Sequence, residues 1–318
     1  MATKHLLHPR FSVLPATIVT VALVLTGCGN DDELAVEEPS APQEVVTIGG
    51  ALSSPGLISG TNPTEVTGTE VELVTALTQR METLPEEAEP FWIPTRQSTV
   101  AERLVEGEFD ISIGQFTDAD LGDDAARIGP YATVEAGLLV HREANAEPDE
   151  PVDAFSPSPL ESLEDVAQAS VCVVAGSIPE AAGIPVDDET VEPTVTECEI
   201  GMRSGRYDAI AADDLQLAGV MMDPEFADRY ELMWWADLVA DQDDEDSEIE
   251  VNEALLETSQ YWIGASSTYC AEAGAAFEEL VDEGALEELF EPWEQVEGYE
   301  YEPVEADEVS VKHCKTAS

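Results

Sequence analysis

Apolar and polar residues alternate in short blocks from residue 45 onward, and these blocks predict alternating strands and helices. The apolar runs Val45–Ile48, Phe91–Ile93 and Phe109–Ile113 each predict a short strand. Between them, Glu70–Met81 has apolar residues at helical spacing, and Val100–Val105 predicts a short helix. This order is typical of a parallel sheet with helices on its faces.

A second block of the same kind follows, and the chain is therefore expected to form two α/β lobes. Its predicted strands are 137–141, 171–174, 190–196, 207–212 and 261–264, and its predicted helices are 160–166, 197–204, 271–283 and 285–291. Gly284 separates the last two helices and is expected to end the first of them in a left-handed conformation. Polar loops are expected at 143–159 and 241–250.

The first 28 residues predict an export signal that ends in a lipidation site. Basic residues precede a mostly apolar stretch, 11–25, and Cys28 follows Leu-Thr-Gly, which resembles the lipobox of bacterial lipoproteins. The resemblance implies cleavage before Cys28 and acylation of its thiol. A plain secretory peptide has no use for this cysteine, and a membrane-spanning helix usually needs about 20 apolar residues, which Pro15 also disfavours. We expect a lipid-anchored protein on the outer face of the cytoplasmic membrane.

The charge of the chain excludes several classes of partner. The sequence has 69 acidic and 12 basic residues, a net charge of −57. Nucleic acid and anionic lipid are poor partners for such a surface, so membrane contact is expected only through the lipid anchor. A hydrophobic content of 43% still predicts a folded protein. We hypothesise an acidic, halophilic protein whose self-repulsion is screened by salt; the alternative is an ordinary acidic extracellular protein.

The cysteines fit an oxidising compartment. Apart from Cys28, the chain has Cys172, Cys198, Cys270 and Cys314, and an even count suggests disulfides in one of three pairings. We favour Cys172–Cys198 because both lie in one predicted α/β segment, which leaves Cys270–Cys314. A zinc site is not expected, because the chain has no Cys-x-x-Cys motif and few histidines, and no metal or other cofactor is predicted.

Several short motifs together resemble a known family. They are Pro55-Gly56-Leu57, residues 102–113, Gly129-Pro130-Tyr131, residues 171–177 and 204–209, Asp213-Asp214 with Leu217-Ala218-Gly219, and Phe290-Glu291-Pro292-Trp293. In this order and spacing they resemble solute-binding protein family 3, the extracellular proteins that feed polar amino acids to ABC transporters. The likeness is greatest to the glutamate-type binders of actinobacteria, and it covers residues 45–297.

This resemblance implies the type II periplasmic-binding-protein fold, in which two α/β lobes are joined by two hinge strands and close on a ligand. The implied crossings lie near 132–136 and 261–264. The expected segments are a signal peptide at 1–27, a flexible tether at 28–44, lobe one at 45–131 plus 265–297, lobe two at 137–260, and a C-terminal tail at 298–318.

The first group of implied ligand-binding residues follows the third strand of lobe one. It consists of Gln115, Phe116 and Thr117. In the family a hydroxyl at the position of Thr117 bonds the ligand carboxylate, and Phe116 is the aromatic residue expected nearest the cleft. Thr117 is equally consistent with a turn or helix-cap residue.

The second group of implied ligand-binding residues lies in lobe two. Gly176 and Ser177 match the turn whose N–H groups face the ligand carboxylate. Asp213 matches the acid that binds the ligand ammonium. The alternative interpretations are an ordinary strand–helix turn and a solvated acid.

One departure from the family weakens an amino-acid ligand. About five residues after the threonine, the family has an arginine whose guanidinium makes a bidentate contact with the ligand carboxylate. This chain has Leu121 and Gly122 there. Arg127 is the expected substitute, and Arg96 and Arg103 are further candidates.

The expected function is capture of a small polar solute, an amino acid or a related molecule, by a monomer that delivers it to an ABC permease and its ATPase. One alternative is a sensing or interaction lipoprotein that kept the fold and lost transport. Another is an enzyme such as a dehydratase, which needs a general acid or base in the cleft. His141 and His313 do not fit that role, so we expect no enzyme. Neighbouring permease and ATPase genes would favour transport, and sensor-kinase genes would favour sensing.

Overall fold

The computed structural model describes residues 45–84, 90–116, 118–142, 160–240, 249–304 and 307–312. Within these ranges the chain forms two mixed sheets covered by helices, and a two-stranded ribbon. The expected signal peptide and tether, Cys28, Thr117, His313 and Cys314 lie outside the described residues. So do residues 143–159 and most of the acidic loop at 241–250.

The elements closely follow the predicted order. The strands are β1 Thr47–Gly50, β2 Ser53–Ser54, β3 Ile58–Ser59, β4 Phe91–Pro94, β5 Ile111–Gly114, β6 Ala125–Val134, β7 Ala136–His141, β8 Ser170–Val174, β9 Asp188–Glu192, β10 Ala209–Asp213, β11 Tyr230–Trp234, β12 Ser259–Ser266 and β13 Ser310–Lys312. The α-helices are α1 Thr69–Gln79, α2 Val100–Val105, α3 Asp118–Leu121, α4 Leu163–Ala167, α5 Ile178–Ala182, α6 Val195–Arg203, α7 Asp214–Met221, α8 Pro224–Ala227, α9 Trp235–Ala240, α10 Cys270–Asp282 and α11 Ala285–Phe290. Short 3₁₀ helices lie at Gln97–Thr99, Glu253–Leu256 and Glu291–Gln295.

The first sheet has the strand order β13-β6-β12-β5-β1-β4. Strand β1 is parallel to both β4 and β5, which confirms the parallel sheet predicted from the first three apolar runs. Ile48 and Ile111 are fully buried in this sheet, and Leu73 and Leu77 of α1 are buried with them. Each apolar run therefore contributes a covered side chain to the sheet, Ile48, Trp92 or Ile111, and this burial stabilises the strands.

The second sheet has the order β11-β7-β10-β8-β9, in which β10, β8 and β9 are parallel. All five residues of β10 are buried, and α7 after it is buried along its whole length. The carboxyl end of β10 therefore lies inside the molecule, and this places Asp213 away from water.

The chain passes between the sheets at two places. Strand β6 ends at Val134 in the first sheet and β7 begins at Ala136 in the second, within the crossing expected at 132–136. On the return, Ser259 already pairs with Val134 in the first sheet. The segment expected to cross at 261–264 is therefore an interior part of β12, and the chain has returned to the first sheet before it.

The boundary predicted between a strand at 190–196 and a helix at 197–204 was wrong by a few residues. Strand β9 ends at Glu192, and α6 begins at Val195. The Thr194 hydroxyl accepts a hydrogen bond from the Glu197 N–H at 3.2 Å, so Thr194 caps the helix. The β-branched residues before the helix favoured a strand in the sequence pattern, but the cap ends it.

The favoured disulfide is present. Cys172 in β8 and Cys198 in α6 are joined by an S–S bond of 2.03 Å, which attaches a helix to the sheet beneath it. Cys270, the first residue of α10, is also disulfide-bonded. Its partner lies outside the described residues, so Cys270–Cys314 stays a prediction.

Part of the segment expected as a C-terminal tail packs onto the first sheet. The Tyr301 ring stacks on Phe290 with centroids 4.3 Å apart, and the Tyr301 hydroxyl donates to the Tyr131 carbonyl at 3.0 Å. Strand β13 pairs with β6 further along the chain. Residues 298–304 and 307–312 therefore cover the sheet next to the aromatic residues of its core.

Candidate ligand site between the two sheets

Asp213 is the central residue of the candidate site. It is the last residue of β10, and its side chain is fully buried. Its Oδ1 accepts a hydrogen bond from the Ile178 N–H at 2.8 Å. Its Oδ2 accepts from the Gln115 side-chain amide at 2.7 Å and from the Tyr261 hydroxyl at 2.8 Å. The carboxylate is thus held by three donors without contact to bulk water.

These donors come from both sheets. Gln115 directly follows β5, and Tyr261 lies in β12, so both belong to the first sheet. Ile178 begins α5, which follows β8 of the second sheet. Asp213 therefore lies where the two halves of the molecule meet, at the carboxyl ends of β5, β8 and β10. Ligands of open α/β folds bind at this edge.

Burial controls the electrostatics of this contact. Removal from water raises the pKa of Asp213 to about 6, while the hydrogen bonds from Ile178 and Tyr261 act in the opposite direction. The pKa of Tyr261 lies well above 10, because of burial and then the charge of Asp213. At neutral pH the pair is a carboxylate and a neutral phenol, which is an arrangement suited to a cationic group.

The turn at Gly176 and Ser177 lies against the first half of the molecule. A Cβ atom on Gly176 would lie 2.9 Å from the Gln97 side chain, so only glycine allows this approach, and its φ is +85°. The Ser177 hydroxyl donates to the Val174 carbonyl at 2.7 Å. The N–H group of this turn that reaches the candidate site is that of Ile178, and its acceptor is Asp213.

Gln97 is a candidate that sequence reasoning missed. It begins the 3₁₀ helix after β4 and lies beside Gly114 and Gly176, one from each half. Its amide nitrogen is buried and has no hydrogen-bond partner among the residues that the structure describes. Because an unpaired buried donor costs free energy, this amide is suited to an acceptor atom supplied from outside the chain. The signal in the sequence was weak, because Gln97 is only a polar residue in the loop after the strand predicted at Phe91–Ile93.

Arg127 and Phe116 support the loop that carries Gln115. The Arg127 guanidinium donates to the Phe116 carbonyl at 3.0 Å and lies over the Trp262 ring at 4.1 Å. The Phe116 ring is buried in a small apolar cluster that includes Trp262, so Tyr261 is the aromatic residue that reaches Asp213. Direct ligand binding by Arg127 stays a prediction.

The position of the family's arginine is part of the same apolar cluster. Leu121 is 1% exposed and packs with Val100, Leu104 and Phe116. Gly122 follows in a left-handed conformation, with φ +57°. A leucine in this place stabilises the loop by burial and supplies no charge to a ligand.

Two other buried acids lie near Asp213. Asp214 Oδ1 accepts from the Glu135 N–H at 3.1 Å, at the crossing between β6 and β7, and burial raises the pKa of Asp214 to about 7. Glu70, in the first turn of α1, accepts from the Tyr131 hydroxyl at 2.5 Å, and burial raises its pKa to about 7. The Tyr131 ring meets the Tyr261 ring edge-on at 5.9 Å.

In the described part of the chain, no three histidine, cysteine or acidic residues are grouped closely enough to hold a metal ion. Among the same residues, every helix is too short or too polar to serve as a membrane span. Trp235, Trp262 and Trp293 are buried in packing contacts.

Comparison with known proteins identifies the fold. No family model matches the chain, and neither does any curated protein. Solved structures do match over most of its length. One is the substrate-binding protein of an ABC uptake transporter from Streptococcus pneumoniae with bound histidine, at 17% identity and TM-score 0.56, covering 78% of this chain and 92% of that one.

Two further solved structures give the same result. The arginine-, lysine-, histidine-binding protein ArtJ from Geobacillus stearothermophilus matches at 14% identity and TM-score 0.56, covering 79% of this chain and 95% of that one. The ancestral amino-acid-binding protein AncCDT-1, a precursor of cyclohexadienyl dehydratase, matches at 17% identity and TM-score 0.55, covering 78% and 94%. The chain has the type II periplasmic-binding-protein fold.

Proposed function

We propose that this protein is a lipid-anchored, extracytoplasmic solute-binding protein that captures a small ammonium-bearing solute and delivers it to an ABC permease. The observation that carries the proposal is the buried Asp213 carboxylate, which receives donors from both sheets. A solute that binds there contacts both halves at once. Binding energy is then coupled to hinge closure.

Opening of the hinge would separate two groups of residues. Gln115 and Tyr261 move with the first sheet, and Asp213 and Ile178 move with the second. The entering ammonium pairs with the Asp213 carboxylate, and an acceptor atom of the solute takes the hydrogen bond offered by the Gln97 amide. Closure then removes both contacts from water, which strengthens them.

The structural relatives support an amino acid or a related amine as the solute, since one has bound histidine, one is an arginine-, lysine-, histidine-binding protein and one is an ancestral amino-acid-binding protein. Two observations argue against glutamate. The chain carries a net charge of −57, and the arginine position of the family is occupied by the buried Leu121. We therefore propose a cationic or zwitterionic solute in place of the actinobacterial glutamate-type ligand.

Isothermal titration calorimetry tests this proposal. The full chain is titrated in high salt with the twenty amino acids, with amines that lack a carboxylate, and with small polyols. We expect saturable binding, at about micromolar Kd, of one or a few ammonium-bearing compounds and no binding of polyols. A cooperative melt shows that the protein is folded. Heat from polyols alone would contradict the assignment of Asp213 as an ammonium-binding group.

A second candidate function is a sensing or interaction lipoprotein on the same fold. The buried Leu121 favours it, because the residue that holds the ligand carboxylate in the family is absent. If no compound of the panel gives a heat of binding, and the protein melts cooperatively, this second function would be supported. The dehydratase lineage of one relative does not change the assignment, since that relative is an amino-acid-binding precursor of the dehydratase.

The acidic surface predicts a strong dependence on salt. With 69 acidic and 12 basic residues, self-repulsion destabilises the compact state in dilute buffer, and molar salt shortens the Debye length to about 3 Å. We expect the melting temperature to rise by roughly 10 °C or more between dilute buffer and 2 M KCl. Sucrose of equal osmolarity is the control. An unchanged melting temperature would end the proposal of a halophilic protein.

A further inference from the structure

Asp213 is satisfied by the protein itself, and one of its donors resembles a ligand group. A carboxylate has about four lone-pair sites, and three are used by Ile178, Tyr261 and Gln115. Ile178 donates through its backbone, and Tyr261 lies within a strand. Gln115 differs, because its donor is the end of a flexible side chain that follows a strand.

The Gln115 amide also joins the two halves of the molecule. Its nitrogen lies 2.7 Å from Asp213 Oδ2, although the two residues are 98 positions apart in the chain. Another donor cannot take this position on Oδ2 while the amide remains there. A solute group that binds at this position on Oδ2 must therefore replace the Gln115 amide.

We propose that the Gln115 amide is a built-in substitute for the ammonium group of the ligand, and that it makes the site select cations over neutral solutes. This inference rests on the proposed function. A neutral donor that displaces Gln115 exchanges one hydrogen bond to the carboxylate for another of the same kind and gains little. A cation exchanges it for an ion pair with the same carboxylate, in which both partners are charged. The amide thus excludes neutral donors more than cations, and in this sense Gln115 is a specificity-determining residue.

Shortening the side chain at position 115 tests this proposal without knowledge of the natural ligand. Gln115→Ala removes the amide and leaves a space beside Asp213 that matches acetamide in size. Methylammonium is smaller and carries the charge that the proposal requires. Gln115→Met is the matched control, since it keeps the length of the side chain but cannot donate. A second shortened variant, Gln115→Ser, guards against an effect peculiar to alanine.

The measurement is the melting temperature of the full chain at pH 8, with methylammonium chloride or acetamide added and with KCl adjusted to constant chloride. We expect methylammonium to raise the melting temperature of both shortened variants by about 2–6 °C at saturation. Acetamide should raise it less. Methylammonium should not change the melting temperature of three other proteins. These are the wild-type protein, the Gln115→Met variant and the double variant Gln115→Ala with Asp213→Asn. If a shortened variant is unfolded, its melting temperature cannot be measured. The test is then whether methylammonium restores the circular dichroism of the folded protein.

Three outcomes would overturn the proposal. These are no response of either shortened variant to methylammonium, an equal response of the wild-type protein, or an equal response to acetamide. The result is separate from that of the solute panel. If no compound of the panel binds but methylammonium stabilises the shortened variants, the proposed solute-binding function is wrong and the cation site remains. If an amino acid binds but methylammonium does not stabilise the shortened variants, the proposed role of Gln115 is wrong.

Discussion

Glu70→Gln is expected to stabilise the protein at pH 8 and to weaken its dependence on pH. Glu70 is 4% exposed in the first turn of α1, and its Oε1 accepts from the Tyr131 hydroxyl at 2.5 Å. Burial raises its pKa from 4.5 to about 7, which means that the folded state holds the charged form poorly. Glutamine keeps the shape and the acceptor atom without the charge.

The sign of the pH effect follows from this raised pKa. Between pH 4.5 and about 7 the folded state binds more protons at Glu70 than the unfolded state does. The stability from this group is fully present below pH 4.5 and is lost as the pH rises through about 7. Asp213 and Asp214 act in the same direction, with pKa values raised from 3.8 to about 6 and about 7. The wild-type protein should therefore be more stable at pH 5 than at pH 8.

Urea unfolding at pH 5 and pH 8 in constant high salt measures the effect. One pKa unit corresponds to about 1.4 kcal/mol, so we expect Glu70→Gln to add about 1–3 kcal/mol at pH 8 and little at pH 5. Glu72→Gln is the matched control, because Glu72 is an exposed acid of the same first turn. The explanation fails if Glu72→Gln has the same effect, since general charge repulsion would then account for both variants.

The fold was largely predictable because its central strands are short apolar runs. Strands β1, β4 and β5 coincide with Val45–Ile48, Phe91–Ile93 and Phe109–Ile113 to within two residues at each end. Gly284 adopts the expected left-handed conformation, with φ +73°. Strand β6 was not predicted, because Arg127, Gly129 and Pro130 interrupt its pattern. It forms because β12 and β13 both pair with it, and such long-range pairing is not visible in a local window.

The position of the site was predictable, but its contacts were not. The motif placed Asp213 at the end of a strand, and the structure confirms that position. Gln115 and Tyr261 reach it from 98 and 48 residues away, so local patterns gave no sign of these bonds. The sequence pattern also does not show which way a side chain points once a strand has ended in a loop. Phe116 was expected nearest the cleft, but its ring packs into the apolar cluster with Leu121.

Asp213→Asn should remove ligand binding and leave the fold intact. The substitution deletes the negative charge that Gln115 and Tyr261 contact, so a cationic solute loses its ion pair. Loss of one partner of a buried pair costs about 2–5 kcal/mol, so affinity should fall by about 100-fold. The neighbours can adapt, because the Gln115 amide can turn its oxygen toward the new donor.

Calorimetry with the best compound of the amino-acid and amine panel measures this loss. Asp237→Asn is the control, since Asp237 is an exposed acid in α9 of the same half. We expect the control to bind like the wild-type protein. An Asp213→Asn variant with unchanged affinity would remove Asp213 from the site.

The dependence on pH separates loss of the charge from loss of the fold. Burial raises the pKa of Asp213 to about 6, so the wild-type affinity for a cation should fall about tenfold for each pH unit below 6. The Asp213→Asn variant has no such group, and its weak affinity should not change over the same range. Because asparagine also removes a buried charge, the variant should melt no lower than the wild-type protein at pH 8. Weaker binding by an equally stable protein would show that the Asp213 carboxylate holds the solute.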